Sequence, residues 1–340
     1  MAPLNDLSPA ILDVIEGGPI CEFATMSAAG VPIDTPVYYF PADDLSTIGV
    51  ATGLAYPAKA ERARRNPKVG LLFEAPSNGP VVLIHGHAAV RDADLQNNAV
   101  RYISETGFDG LSFGLPWSEA RKAVWYWTRM IVEISPERIS WWDSPASMDT
   151  SPSVWHSPSA QAYPQSDPSP KGKVSPAAAW PQRDWREIAA DGLARGIAPH
   201  LTLIDKNGFP IPARARSSEL VGDRFRLTMP AGIPWLGEGK ATLTFLGIET
   251  FVGEATRDGD STWFSVERAL PQLPLILDPA KVLQPDETIK LELMARLEHE
   301  TQRRGQPIPT LPEHLPELTR LARLRRARAG GAQPMAPVSQ

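Results

Sequence analysis

The sequence predicts a mainly β protein with flanking helices, built as two small antiparallel barrels in tandem and followed by C-terminal helices. Three observations carry this. One order of elements is written twice along the chain, and a repeat decides architecture before any single motif does. The segments are short runs bounded by Gly, Asp, Asn and Pro turn residues, the rhythm of a small antiparallel barrel. The 35 prolines, about twice the average usage of roughly 5%, fall at definable places. Pro9 and Pro57 open helices, Pro32 and Pro210 mark matching strands, and many others gather in residues 144–182.

The first copy opens with a helix over residues 10–16, with Ser8 as N-cap, Pro9 at the first helical position and Gly17-Gly18 as the stop. A strand over 23–26, the turn Ser27-Ala28-Ala29-Gly30 and a returning strand over 31–40 read as a β-hairpin. The second copy has Asp184 as N-cap, a helix over 185–195 stopped by Gly196, a strand over 201–204, the turn Asp205-Lys206-Asn207-Gly208 and a return through Phe209-Pro210-Ile211-Pro212. Gly30-Val31-Pro32-Ile33 thus coincides with Gly208-Phe209-Pro210-Ile211. Both copies continue with a polar turn (42–44; 221–223), a strand (45–51; 224–229) and a further glycine, Gly53 or Gly232. Farther on, Gly86-His87-Ala88-Ala89-Val90-Arg91-Asp92 matches Gly253-Glu254-Ala255-Thr256-Arg257-Asp258 with one residue gapped.

The expected domains are 1–143 and 183–284, joined by a linker at 144–182, with helices and a disordered tail over 285–340. The linker is rich in Ser, Pro and Ala and has no hydrophobic period. Trp155, Tyr163 and Trp180 are too many aromatic residues for a free spacer, so it should lie extended across a surface. After Asp286, Ile289, Leu293 and Leu297 recur at helical spacing. Residues 317–328 pair Leu318, Leu321 and Leu324 with five arginines, read as the solvated face of a docked terminal helix.

Lys+Arg 34 against Asp+Glu 39 gives a net charge of −5, which excludes a polyanion binder driven by bulk charge; no nucleic-acid partner is expected. Cys21 is the single cysteine, so neither an intrachain disulfide nor a cysteine-ligated zinc site can form. The N-terminus has no basic region before an apolar run, and no stretch approaches the roughly 18 apolar residues of a membrane span. The expectation is a cytoplasmic protein without a membrane partner. Ser-x-x-Lys and phosphate-loop patterns are absent and no Gly-x-Ser-x-Gly nucleophile elbow is expected, which argues against acyl or phosphoryl transfer. His85 and His87 flank Gly86 and share a strand face, but no third ligand accompanies them, so no metal centre is expected.

The stretch 50–73 carries the most chemistry. It reads strand, loop, short basic helix, strand, with Pro57 at the helix start and Asn66 before Pro67 at its end. A basic helix that follows the Thr52-Gly53 turn gathers free backbone N–H groups, a hydroxyl and Lys59, a phosphate site in outline. The alternative is a solvated helix that happens to be basic.

Thr25-Met26-Ser27 with Gly30 and Pro32, the Thr35-Pro36-Val37 strand, the Lys59 helix ending Arg65-Asn66-Pro67-Lys68-Val69, residues 82–90 around Gly86, and 131–139 together resemble the FMN-binding split barrel of the pyridoxamine 5′-phosphate oxidase-like superfamily. The resemblance covers residues 11–143. It implies a six-stranded split barrel that normally pairs as a homodimer and binds flavin at the seam. By matching position it makes Lys59 the phosphate-binding lysine and Arg62 a weaker phosphate candidate, and it places Thr35 and Thr52, with Gly53 beside it, against flavin. Pro36, Val37 and Tyr38 fall on the strand whose backbone passes the flavin ring, and Arg129 faces the seam.

The second copy lacks the basic helix. Only residues 233–239, including Glu238, separate Gly232 from the next strand, and such a loop cannot present the same cationic cradle. The two copies should therefore form a single-chain pseudodimer, with intrachain barrel pairing and room for a further homodimer. The first barrel holds the flavin phosphate; the second supplies the other wall, and Arg214 and Arg216 are placed to reach across. Among Tyr38, Tyr39, Trp125, Trp127, Trp141 and Trp142, packing is the default role and stacking on a planar ligand the exception. The expected function is an FMN-dependent oxidoreductase acting on a small, planar organic substrate. The alternatives are a non-catalytic flavin, deazaflavin or haem-binding protein, or a ligand-free interaction module.

Overall fold

The structure, a computed structural model, describes residues 6–76, 78–107, 115–158, 162–176, 183–272 and 281–331. Helix α1 (Pro9–Gly17) leads into β1 (Ile20–Met26), β2 (Pro32–Pro41) and β3 (Ile48–Gly53). Then come α2 (Ala58–Arg65), β4 (Lys68–Glu74), β5 (Val81–Arg91), α3 (Leu95–Thr106), the short α4 (Trp117–Ala120) and α5 (Val124–Trp127), and the long β6 (Arg129–Trp142). Strands β1 to β6 close into a ring. β1 pairs with β2 and β4, β3 with β2 and β6, and β5 with β4 and β6, all antiparallel.

The second body follows α6 (Trp185–Ala194). It comprises β8 (His200–Ile204), β9 (Pro210–Arg214), β10 (Ser217–Val221), β11 (Arg224–Thr228), β12 (Gly239–Phe245), β13 (Glu249–Asp258) and β14 (Ser261–Ala269). Here the expectation of two six-stranded barrels needs correction. The second sheet is a curled seven-stranded half-barrel in the order β10-β11-β14-β13-β12-β8-β9, not a closed ring. Its two end strands are consecutive in the chain. β2 passes from β1 to β3 between Tyr38 and Tyr39. The matching strand changes neighbours across Ala215 and Arg216, which bond to Pro199 O and Thr228 O, so it reads as β9 on β8 and β10 on β11. With that substitution every pairing of the six-stranded ring has its counterpart in the second body.

Local chemistry repeats too. Gly30 (φ 73°) and Gly208 (φ 81°) occupy the left-handed position of matching hairpins, closed by Ser27 N–H to Val31 O and Asp205 N–H to Phe209 O. β5 and β13 both slip register at the matching glycine, Gly86 or Gly253. A Cβ there would lie 2.7 Å from Ser135 O or 1.9 Å from Ser265 O, so a bulge that brings backbone against backbone admits no side chain.

Some boundaries moved. The strand expected over 45–51 begins at Ile48, because Leu45 (φ 52°) sits in a turn closed by Leu45 N–H to Ala42 O and Ala42 N–H to Thr47 O, burying its side chain without extending the backbone. The segment after β6 is built into the first body: Ser144 caps a 3₁₀ turn (Pro145–Asp149), and β7 (Ser153–His156) pairs with β6. Trp155 Nε1 donates to Asp6 at 3.0 Å and Tyr163 stacks on His87 at 3.8 Å, while Trp180 lies outside the described residues.

Helix α7 (Glu287–Arg304) is capped by Asp286 and buries Leu293 and Leu297; α8 (Arg320–Gly331) follows. Arg325 of α8 is buried, donating to Glu16 O and Tyr39 O, and Arg328 pairs with Asp13, so the arginine run docks the helix on α1. The tail expected beyond it, 332–340, lies outside the described residues. Among the described residues no helix is long and apolar enough to cross a membrane.

The bodies meet face to face. A Cβ on Gly70 of β4 would lie 2.1 Å from Pro210 O of β9. Arg138 bonds Asp205 at 2.7 Å and Lys68 Nζ donates to Asn207 O at 2.6 Å. His85 and His87, on one face as expected, both meet the Phe209 ring edge-on at 5.5 and 5.6 Å. They are packing residues of this interface, His87 also pairing with Glu137 at 2.6 Å.

Candidate functional site

A cavity of about 330 Å³ opens where the two bodies meet. The first contributes Thr35, Thr52, Gly53, Tyr56, Lys59 and Arg129; the second contributes Gly247, Ile248, Thr250 and the 270–272 segment after β14. Five of the nine residues singled out from sequence are therefore in one lining. Of the others, Arg62 turns back to donate Nε–H to Thr25 Oγ1 at 2.8 Å, Val37 is in the first core, Tyr38 packs against that core, and Pro36 touches the turn at Gly247.

The ladder sets the geometry. Gly53, the last residue of β3, faces Arg129, the first of β6, and Leu54 N–H to Thr128 O closes the pair's end. A Cβ on Gly53 would be 3.4 Å from Arg129 Nη1, so glycine lets the guanidinium lie close over the strand end. The guanidinium is held between the Tyr102 and Tyr126 rings at 4.5 and 4.3 Å, a cation–π clamp that fixes its direction. Helix α2 buries Ala60 and Ala63 against the barrel, which places Lys59 at its cavity-facing start. Helix α7 secures the intervening loop: Arg296 donates to Ala55 O at 2.8 Å and lies 5.0 Å from the Tyr56 ring centroid. Farther along α7, Arg304 bonds Glu300 and Asp92, and both Arg303 and Arg304 reach Glu61 of α2.

The second body closes the cavity with the β12–β13 turn. Leu246 (φ 52°) and Gly247 (φ 71°) are both left-handed, and Ile248 N–H returns to Phe245 O at 2.9 Å, the primed turn of a tight hairpin. A Cβ on Gly247 would lie 2.1 Å from Pro36 Cδ.

The cavity is cationic and underbonded. Lys59 and Arg129 line it and no carboxylate does among the described residues. Burial, then the Arg62 and Arg129 guanidinium groups, lower the Lys59 ammonium to about 8 against the opposing pull of Glu22 and Asp34. Thr35 Oγ1, Thr52 Oγ1, Tyr56 OH and Arg129 Nε are buried without a hydrogen-bond partner. Four orphaned polar atoms in one lining mark a site shaped for a polar ligand, because buried polar groups are otherwise paired.

Sequence reasoning did not find Tyr56 or the second-body wall. The Leu246-Gly247 turn offered a local signal; residues 270–272 offered none. One acyl-transfer spacing is present in the sequence, Gly110-Leu111-Ser112-Phe113-Gly114, but it lies outside the described residues.

No family model matches the chain, and no curated protein matches it by sequence. Solved structures similar to it include general stress protein 26 of Bacillus anthracis strain Sterne, with 18% identity and a TM-score of 0.30, over 45% of this chain and 98% of that one. A pyridoxamine 5′-phosphate oxidase-related, FMN-binding protein of Nostoc punctiforme matches with 12% identity and a TM-score of 0.31, over 45% and 98%. A conserved hypothetical protein of Mycobacterium tuberculosis matches with 25% identity and a TM-score of 0.31, over 40% and 85%.

Proposed function

We propose that the cavity between the two bodies binds FMN and that the protein is an FMN-dependent oxidoreductase acting on a small, planar organic substrate. The observation that carries the reading is the lining itself: an ammonium, a clamped guanidinium and three unpaired hydroxyls face one space of about 330 Å³. That is within the range of ligand sites, roughly 300–1,000 Å³. In this reading Lys59 and Arg129 neutralise the phosphate, with Arg62 behind them. Thr35, Thr52 and Tyr56 satisfy ribityl and ring polar atoms, Gly53 leaves the approach open, and Pro36, Val37 and Tyr38 hold the β2 backbone in place beside them. The flavin supplies the redox chemistry; the chain binds it, orients it and covers it with the β12–β13 turn.

The matching region of the second body, residues 229–238, forms no helix and carries no Lys or Arg. We infer one flavin per chain at most, the two bodies acting as a single-chain pseudodimer. A haem reading finds no His, Cys or Met in the described lining, and burial raises the Tyr56 phenol, which keeps it protonated and a poor axial ligand.

The visible spectrum of the purified protein and a titration with FMN test the proposal. Flavin bands, or saturable quenching of FMN fluorescence at no more than one equivalent, are expected. A colourless protein that does not quench FMN overturns it.

A further inference from the structure

Beside the cavity, the interface encloses a second polar cluster. Glu22 on β1 faces Pro36 and Asp34 on β2 faces Ala24, so the two carboxylates are diagonal neighbours on one sheet face. The second body sets His200 of β8 against them. One ligand atom from each of Glu22, Asp34 and His200 lies within 4.8 Å of the others. Asp34 and His200 are buried, and Glu22 is 9% exposed.

The cluster is deeply underbonded. Both Asp34 oxygens, Glu22 Oε2, His200 Nδ1 and the hydroxyls of fully buried Thr202 and Thr242 make no well-formed hydrogen bond, although Glu22, Thr202 and the Thr35 N–H lie close enough to act on Asp34 and His200 Nδ1 is 3.4 Å from Glu22 Oε1. Thr202 is two residues from His200 on the same strand face and opposite Thr242 in the β8–β12 register. The other ring nitrogen is engaged: His200 Nε2 lies 3.0 Å from Glu74 Oε2, and Arg214 locks Glu74 with bonds of 2.9 Å from Nε and 2.6 Å from Nη2. A ring nitrogen held by a fixed carboxylate, here Nε2 on Glu74, with the other nitrogen turned to the cluster, is the arrangement found behind metal-bound histidines. Three carboxyl groups, Glu22, Asp34 and Glu74, gather here; burial raises Glu22 to about 8 and Asp34 to about 7, so a divalent cation would bind by displacing protons from that pair.

We propose that Glu22, Asp34 and His200 form a divalent transition-metal site that pins the two bodies together, with the Thr202 and Thr242 hydroxyls as neighbouring oxygen donors. One imidazole with two carboxylates suits Zn²⁺ or Mn²⁺ and is poorly matched to Mg²⁺ or Ca²⁺, which take oxygen ligands. Bonds of about 2.0–2.2 Å place ligand atoms roughly 3–4 Å apart, so loading draws the three side chains in by about 1 Å. None of the three ligands lines the cavity, though Glu22 and Asp34 act electrostatically on Lys59, so the test reads metal content rather than flavin binding. It runs against the sequence expectation of no metal centre, which weighed only His85 and His87.

The test is elemental analysis of the full chain expressed in zinc- and manganese-supplemented medium, with thermal unfolding before and after strong chelation. One metal per chain is expected. The chelated protein should melt lower and regain its Tm with added Zn²⁺ or Mn²⁺, by roughly 4 °C at a free metal concentration a hundredfold above Kd. Asp34→Asn, nearly isosteric and relieved of a buried charge, should fold, hold no stoichiometric metal and lose the metal-dependent Tm rise. Two results overturn the site: less than a tenth of an equivalent of metal with no Tm response in the wild type, or equal metal content in wild type and Asp34→Asn, which places the metal elsewhere.

Discussion

Lys59→Ala removes the ammonium at the start of α2 and leaves Arg129 in its tyrosine clamp. A hydrogen bond to a charged group contributes about 1.5–3 kcal/mol, so FMN affinity should fall roughly 10- to 150-fold. Riboflavin, which lacks the phosphate, should bind wild type and variant within about twofold of each other. Fluorescence quenching gives both constants. The lowered ammonium adds a pH signature. In the ligand-free protein Lys59 is charged below about pH 8, and a bound phosphate dianion raises its pKa. Binding therefore takes up a proton near pH 8: affinity is complete below that value and declines above it, by at most tenfold per pH unit, until the bound-state pKa is passed. The variant should show no such decline. Unchanged FMN affinity, an equal loss for riboflavin, or the same pH profile in both proteins would refute the phosphate assignment.

Gly247→Ala should weaken FMN binding several-fold, because its Cβ meets Pro36 Cδ at 2.1 Å; Gly196→Ala, also left-handed but in open space, is the control that should not. Arg304→Ala should lower unfolding free energy by about 3–5 kcal/mol in denaturant titrations, since it strips a buried guanidinium from Asp92, Glu300 and Glu61. Burial, with the Arg138 guanidinium, holds the His85 imidazolium well below its ordinary pKa. As pH falls below about 6.5 the unfolded chain takes up a proton that the native state refuses. Stability should then decline by up to about 1.4 kcal/mol per pH unit, and His85→Gln should flatten that slope in acid-unfolding curves.

What was legible in the sequence was local. The hairpins at Gly30 and Gly208 and the bulges at Gly86 and Gly253 are set by backbone conformations that few residues adopt, so their chemistry announces itself at the position where it acts. That Thr52, Gly53 and Lys59 lie close together was readable for the same reason, since they fall within eight residues of one strand–loop–helix unit. Leu45 misled because burial in a turn and burial in a strand select the same apolar side chain. The 270–272 wall and the Glu22–Asp34–His200 cluster were not readable. Each member is an unremarked residue of its own segment, and only the docking of one sheet face on another brings them together.

The β12–β13 turn that covers the cavity belongs to the same chain as Lys59 and Arg129. Completing the site is then a unimolecular event, and its occupancy does not fall when the protein is diluted, as a site shared between separate subunits does. A subunit two-fold axis would also write every substitution into both seams at once. Here a change at Gly247 has no obligatory twin, so one wall is free to diverge in sequence while the fold that supports the other is left untouched.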